Sequence, residues 1–255
     1  MKDPLMQPFL FKNGLEMRNR IVMAPMTTWS ANDDETISDA ELAYYRARAN
    51  GVGLVLTGCS HVQRNGIGFT HEFAAYDDRF IPSLKRLADA AKSGGAPAIL
   101  QLFHAGNKAV PALIPDGELV SVSALAAPAG PFNDGKKAGR ALSHDEILTV
   151  IRDFGEATRR AIEAGFIEQN NGRLPILAAG KITSSDVARQ ALDAGLSMVA
   201  LGRAMVMNPQ WVERVQSGHE GSMNVKINAS QDPDELQIPH KLWQAIQNTP
   251  GWFPS

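Results

Sequence analysis

The sequence predicts an α/β fold on a parallel sheet, of the (β/α)8-barrel type, with five of the eight β/α units present in the chain. Three observations carry this. Apolar strands and amphipathic helices alternate along the 255 residues, the order that right-handed parallel crossovers produce. The last two strands each run into a glycine turn, in "LAAGKITSSD" and "ALGRAM", and a barrel of this type holds phosphate on the loops after its last two strands. No Gly-x-Gly-x-x-Gly turn follows the first or second strand, which argues against a doubly wound dinucleotide-binding sheet.

The elements follow in order. "RIVMAPMTT" (20–28) is a short apolar strand whose end turns polar. The helix "SDAELAYYRARANG" (38–51) has Ser38 as cap and Gly51 as stop. "VGLVLTGCSHV" (52–62) reads as a buried parallel strand, nearly all apolar. An amphipathic helix (79–95) closes on two glycines before a third strand, "APAILQLFHAG" (96–106). After a Pro/Gly/Ala-rich loop (107–140) a long helix opens with a capping box, Ser143 and Glu146 three residues on. It runs to "RRAIEAGF", where a strand is due. Instead comes "IEQNNGR", a second helix end in series, and only then the strand "LPILAAG" (174–180). The helix "SSDVARQALDAG" (184–195), the strand "LSMVALGRA" (196–204), a short helix around Pro209 to Ser217 and an irregular C-terminal tail (219–255) complete a single domain over 1–255.

Composition excludes several classes. A formal charge of -2 gives no reason to expect nucleic acid or an acidic membrane surface as partner. No run approaches the roughly 20 apolar residues of a membrane span, and "MKDPLMQPFLFKNG" lacks a signal-peptide core. Cys59 is the single cysteine, so no internal disulfide forms, which suits a reducing, cytoplasmic setting. His61 and His71 have no metal-ligand spacing, so no metal site is expected. Asp33, Asp34 and Glu35 read as a solvated loop, and Trp211, Trp243 and Trp252 as packing residues.

Candidate binding residues lie at strand ends. Gly180 and Gly202 let the backbone bend towards an anion, and the Arg203 guanidinium can grip phosphate oxygens in a fork. Either glycine alone could be an ordinary turn, but paired on consecutive strand ends they favour phosphate. Pro25, in "MAPMTT", stiffens a segment suited to a flat wall against a ring, and Thr27 adds a hydroxyl at the mouth. Gln101 lies in an apolar strand, where its amide needs either a backbone partner or the polar edge of a heterocycle. His104, near the same strand end, is a candidate contact with the small-molecule substrate or else a half-exposed loop residue. Cys59 has no base beside it in sequence and reads as a small core residue.

Taken together, "RIVMAPMTT", "TGCSHV", "ILQLFHAG", "PILAAGKI" and "ALGRAM" resemble the old yellow enzyme family of flavin oxidoreductases, as does the closing "PHKLWQAIQNTPGWFP". The resemblance implies FMN as cofactor and NADH or NADPH as reductant. It implies a hydride passed through flavin N5 to an activated alkene or another small acceptor. Carried over, Ala24, Pro25, Met26 and Thr27 line the flavin, with Thr27 near its C4 carbonyl and N5, tuning the ring. Gly58 and Cys59 touch the flavin edge, Gln101 faces the pyrimidine edge, and Gly180, Lys181, Gly202 and Arg203 hold the ribityl phosphate. The family's His-x-x-Asn or His-x-x-His pair, the tyrosine after it and a flavin-binding arginine are missing here. The junction at 166/167 therefore omits strands four to six, on the order of 100 residues at roughly 30 per unit. Five strands leave two edges open to association, so a homo-oligomer is among the expected states. Two other readings remain: an incomplete barrel that binds flavin or phosphate without catalysis, and a phosphate-binding lyase or isomerase barrel, for which Lys181 is the only lysine at a strand end.

Overall fold

The structure, a computed structural model, describes residues 3–11, 14–129, 135–166, 177–179, 182–228 and 231–254. Five parallel strands form one sheet: β1 (Ile21–Met23), β2 (Leu54–His61), β3 (Ala98–Phe103), β4 (Leu177–Ala179) and β5 (Met198–Leu201). The sheet order is β3-β2-β1-β5-β4. The first strand is thus flanked by the second and by the last, as happens when a barrel closes on itself. Val22 pairs with Leu54 on one side and with Ala200 on the other. The open edges lie on β3 and β4, the two strands on either side of the 166/167 junction. That is where the sequence places the missing units. Ile167 and the segment "IEQNNGR" lie outside the described residues.

Each strand leads into its helix: α1 (Asp39–Arg48), α2 (Ile81–Ala91), α3 (His144–Glu163), α4 (Ser185–Asp193) and α5 (Arg203–Met207), then α6 (Trp211–Gln216) and α7 (His240–Asn248). Ser38 caps α1 by accepting from the Glu41 amide, and the capping box at Ser143 and Glu146 is closed in both directions. The tail departs from the sequence expectation. It is not irregular throughout, because residues of α7 put Leu242, Trp243 and Ile246 into the core on one helical face. In the long loop, Val120–Ser121 pairs in parallel with Arg140–Ala141, and near the N-terminus Phe9–Leu10 pairs antiparallel with Glu16–Met17.

Arg48 ties the tail to the barrel. Its side chain is fully buried and makes no ion pair among the described residues. Instead the guanidinium donates to the carbonyls of Tyr44, Met205, Val206, Leu236 and Gln237 at 2.7–3.2 Å, and it lies 4.0 Å over the Tyr44 ring. A buried cation is tolerable only with its donors this fully used. Trp211 and Trp243 are buried, as expected of packing residues, whereas Trp252 is half-buried at the rim of a cavity.

Candidate functional site

In a parallel barrel the C-terminal strand ends converge on one face, and the sequence-derived candidates gather there. Ala24, Pro25, Met26 and Thr27 continue directly from the central strand β1. Gly58 and Cys59 lie in β2, Gln101 lies in β3 with His104 just beyond it, and Gly202 and Arg203 follow β5. Gly180 and Lys181 fall outside the described residues, although Leu177–Ala179 just before them is the expected strand.

Local irregularity shapes this end. The β2–β3 register shifts between Leu56 and Cys59, so that Cys59 pairs with Gln101. Bulges of this kind concentrate at barrel rims and active sites, where they redirect side chains. Within the bulge the Gly58 amide donates to the buried Tyr45 hydroxyl at 2.7 Å, and Thr57 Oγ1 accepts from the Gln101 amide at 3.3 Å. A Cβ on Gly58 would meet the Met26 carbonyl oxygen at 2.7 Å, and one on Gly202 would meet Met26 Sδ at 2.9 Å. Glycine at 58 lets β2 approach the Met26 backbone this closely, whereas at Gly202 the neighbour is the flexible Met26 thioether. The outcome is a wall of Ala24, Pro25 and Met26 with Thr27 half-buried at its mouth.

Three expectations change. Gln101 is exposed, not buried in an apolar strand; its side-chain amide has no protein partner among the described residues and stands free for a ligand. Arg203 is partly committed, since Nη1 donates to the Trp252 carbonyl at 2.6 Å, so it anchors the tail as well as facing the turn after β5. Glu35 does not belong to a solvated loop. Its side chain is only 28% exposed, accepts from the Tyr76 hydroxyl at 2.6 Å and lies 3.5 Å from His61 Nε2.

Sequence reasoning missed the buried acid cluster behind Thr27. Cys59 places its thiol beside the Thr27 hydroxyl and the Glu72 carboxyl. Burial first, and then the Glu72 carboxylate, push its thiol up to about 12, so it is a neutral thiol and not a nucleophile. Glu72 is fully buried and accepts from the Gly68 amide at 2.7 Å, yet burial outweighs that bond and pushes its carboxyl up to about 8. His61, also fully buried, has Glu35 at 3.5 Å on one nitrogen and Glu72 at 3.9 Å on the other, both beyond bonding distance. Burial pushes Glu35 up, but the nearby His61 ring and the hydrogen bond from Tyr76 outweigh it and hold the carboxyl below its usual range. A second buried acid, Glu41, takes the Thr28 hydroxyl and is pushed up to about 7 by burial. The signal was in the sequence only as isolated acids; nothing in the spacing of residues 35, 61 and 72 announces one cluster.

His104 is half-buried, with Nε2 3.1 Å from Gln63 Oε1 and Nδ1 accepting from the Gly106 amide, and burial lowers its pKa. Its ring is thus held by protein groups and points to a positioning part more than to direct ligand contact. No group of three or more His, Cys, Asp or Glu residues with metal-binding geometry occurs among the described residues, and no helix is long and apolar enough to cross a membrane.

Comparison with known proteins agrees with this geometry. The Bacillus subtilis (strain 168) protein YqiG, described as a probable NADH-dependent flavin oxidoreductase, is 28% identical over an alignment that reaches 98% of both chains. That alignment is 370 positions long against 255 residues here, so the relative carries residues without a counterpart in this chain. The NADH:fumarate oxidoreductase of Klebsiella pneumoniae (strain 342) is 40% identical over 164 residues, which are 64% of this chain but only 17% of that protein. Among solved structures, morphinone reductase in complex with tetrahydroNAD superposes with a TM-score of 0.75 at 20% identity, over 91% of this chain and 93% of that one. This is a barrel likeness, and the chain here is a partial barrel. Residues 4–172 match the NADH:flavin oxidoreductase / NADH oxidase family, whose cofactor is FMN with NAD(P)H as reductant, and the chain belongs to that family.

Proposed function

We propose that this chain is the FMN-binding scaffold of an NAD(P)H oxidoreductase that reduces an activated alkene or another small acceptor. The observation that carries this reading is a convergence at one end of one sheet. A glycine-supported wall (Pro25, Met26, Thr27), a free amide (Gln101) and a glycine–arginine turn (Gly202, Arg203) meet there. A flavin asks for these three things: a flat apolar face, a few fixed polar groups at its heterocyclic edge, and an anion site. The residues present fit it.

FMN, when bound, supplies the two-electron hydride chemistry. The chain's own residues bind and orient. Thr27, beside Cys59 and Glu72, presents a hydroxyl whose bond would stabilise an electron-rich ring. Gln101 gives the ring's polar edge a donor and an acceptor. Gly202 and Arg203, with Gly180 and Lys181, hold the phosphate through backbone amides and the remaining guanidinium donors. The test is direct. Protein purified without added cofactor should carry flavin absorbance or acquire it on FMN titration, and should then oxidise NADPH faster with cyclohexenone present. A chain that takes up no FMN would defeat the reading for this polypeptide.

One observation favours a second reading, a barrel completed by association. Leu148 and Ile151 are 51% and 63% exposed on α3, the helix that follows the edge strand β3. In that case flavin uptake and turnover should rise with protein concentration, alongside a homo-oligomer in sedimentation.

A further inference from the structure

Behind Thr27 the chain binds separate segments into one unit. The His61 amide donates to the Phe73 carbonyl at 3.3 Å, the Ala75 amide to the His61 carbonyl at 2.9 Å, and the Ala74 amide to the Glu35 carbonyl at 3.2 Å. Glu35 is held there at φ of 67°, in the left-handed region that residues with a side chain seldom adopt. Strain of this kind persists where the surroundings over-determine it, and it clusters at functional sites. The result is a row of titratable side chains, Glu72, His61 and Glu35, running from the interior to the surface.

The row has unused bonding capacity at each inner step. Glu72 Oε2 accepts from the Gly68 amide at 2.7 Å, which fastens the loop. Its other oxygen, Oε1, is buried without a partner among the described residues and lies 3.9 Å from His61 Nδ1. Both nitrogens of the His61 ring are likewise buried and unpartnered, and Nε2 lies 3.5 Å from Glu35 Oε1. Unpaired buried polar atoms are costly, so several that face one another ask for a reason beyond fastening a loop. An imidazole takes a proton on one nitrogen while releasing one from the other. Glu35 opens the row to solvent: its side chain is 28% exposed, accepts from the Tyr76 hydroxyl at 2.6 Å and has Arg79 3.7 Å away.

At its inner end the row reaches the wall. Thr27, Cys59 and Glu72 line one gap that is too small to admit a water molecule, and across such a dry gap charges are felt strongly. The other titratable groups there are accounted for. The Cys59 thiol, pushed up to about 12 by burial and then by Glu72, stays neutral. The His71 ring meets the Ala31 carbonyl at 3.2 Å. Glu41 takes the Thr28 hydroxyl and keeps one free oxygen, but among the described residues no histidine lies within ion-pair distance of it. Glu72 alone in this gap combines a free oxygen with a histidine beside it that leads to solvent.

We propose that Glu72 is a redox-linked proton acceptor, which takes up one proton from solvent by way of Glu35 and His61 when the flavin is reduced. The proposal rests on the functional reading above, which sets the ring against Thr27. Hydride transfer from NAD(P)H adds two electrons and one proton to the ring, a net negative charge. That charge raises the proton affinity of the carboxylate across the gap. One solvent proton then forms an O–H bond on Glu72 Oε1, His61 receiving on Nε2 and releasing from Nδ1, and the added charge is neutralised. Burial already pushes Glu72 up to about 8, so below that pH the carboxyl holds its proton throughout and no uptake occurs.

The test is the flavin potential of FMN-loaded protein, titrated on both sides of pH 8. A tenfold change in proton activity moves a two-electron couple by about 30 mV for each proton taken up. Wild type should fall by about 30 mV per pH unit just below pH 8 and by about 60 mV just above it. Glu72→Gln, which keeps an acceptor for the Gly68 amide, should fall by about 30 mV throughout, and Glu41→Gln should retain the steep segment. A pH jump across pH 8 tests the route without any reductant. It should shift the flavin absorbance in wild type and not in Glu72→Gln, and His61→Gln should slow that shift at least about 10-fold, within the span a positioned proton carrier supplies. A single slope in wild type, which is decisive even where a variant does not fold, overturns the proposal. So does a steep segment that survives Glu72→Gln, or a shift as fast in His61→Gln as in wild type. Protein that takes up no FMN loses this proposal together with the functional reading, whereas protein that binds FMN and shows one slope loses this proposal alone.

Discussion

Helices α2 and α3 are both amphipathic and follow neighbouring strands, yet they end in opposite surroundings. The apolar face of α2 is fully covered: Leu84, Leu87, Ala88, Ala90 and Ala91 are all at 1% exposure or less. On α3 only Ala157 and Ala161 are buried, towards its C-terminal half, while Leu148, Ile151 and Ile162 remain 45–63% exposed. The helices differ in neighbours, not in design. Each helix of a β/α barrel is wedged against its own strand and the next unit, and among the described residues no strand pairs with β3 on its outer side. The buried charges Glu41, Arg48 and Glu72 lie away from α3, but exposed ion pairs occur on both helices, Lys85 to Asp89 on α2 at 3.1 Å and Arg159 to Glu163 on α3 at 3.0 Å.

The largest expected effect tests the burial contrast. Leu87→Ala should cost about 2–5 kcal/mol, a lost core side chain plus its cavity, and Ile151→Ala should stay within about 0.5 kcal/mol, as exposed substitutions do. Urea denaturation gives both. A large cost at Ile151 would mean that the α3 face is covered in solution, and the cost should then depend on protein concentration.

The buried charges give the next prediction. Glu72, pushed up to about 8 in the fold, has an ordinary carboxyl pKa of about 4.3 when unfolded. Between those values the folded chain holds a proton that the unfolded chain has lost, so stability is greatest at low pH and falls as pH rises through the window. Glu72→Gln keeps an acceptor for the Gly68 amide and removes the titration. It should flatten the pH–stability curve between about pH 4 and 8 and leave the variant more stable than wild type at pH 8, by about 1–4 kcal/mol on the linkage scale. A curve with the same slope in the variant would show that Glu72 ionises normally.

Smaller effects belong to the site. Arg203→Ala should weaken FMN about 10-fold and leave riboflavin, which has no phosphate, nearly unchanged. The lower end of the charge-assisted range applies because one guanidinium nitrogen is already spent on the Trp252 carbonyl. Equal weakening of both ligands in a fluorescence titration would make Arg203 a tail anchor only. Lys181→Ala should matter less than Arg203→Ala, since a backbone amide survives the change. Smallest is Thr27→Ala, expected to lower the flavin potential by roughly 20 mV through loss of about 1 kcal/mol of bonding to the reduced ring. A potential that is unchanged or higher in redox titration would place Thr27 away from the ring.

What the sequence determined by itself is local and periodic. Strand positions followed from short apolar runs, the α3 start from Ser143 and Glu146, and the parallel order from strand–helix alternation, because each depends on residues within a turn or two of one another. The missing units could also be read there, as two helix ends in series before "LPILAAG". Tertiary structure decided what depends on distant parts of the chain meeting. Gln101 is exposed on β3, an edge of the sheet among the described residues, and an apolar run cannot reveal where its strand stands in the sheet order. Arg48 looked like one more helix charge, but its acceptors include carbonyls of residues 205, 206, 236 and 237. The acid cluster joins residues 35, 59, 61 and 72 from two loops and a strand, and Lys241 and Trp29 line one cavity although they are far apart in sequence. Such contacts are set by packing the whole chain at once, and burial then rewrites the charge state of each carboxyl that sequence shows only as an acid.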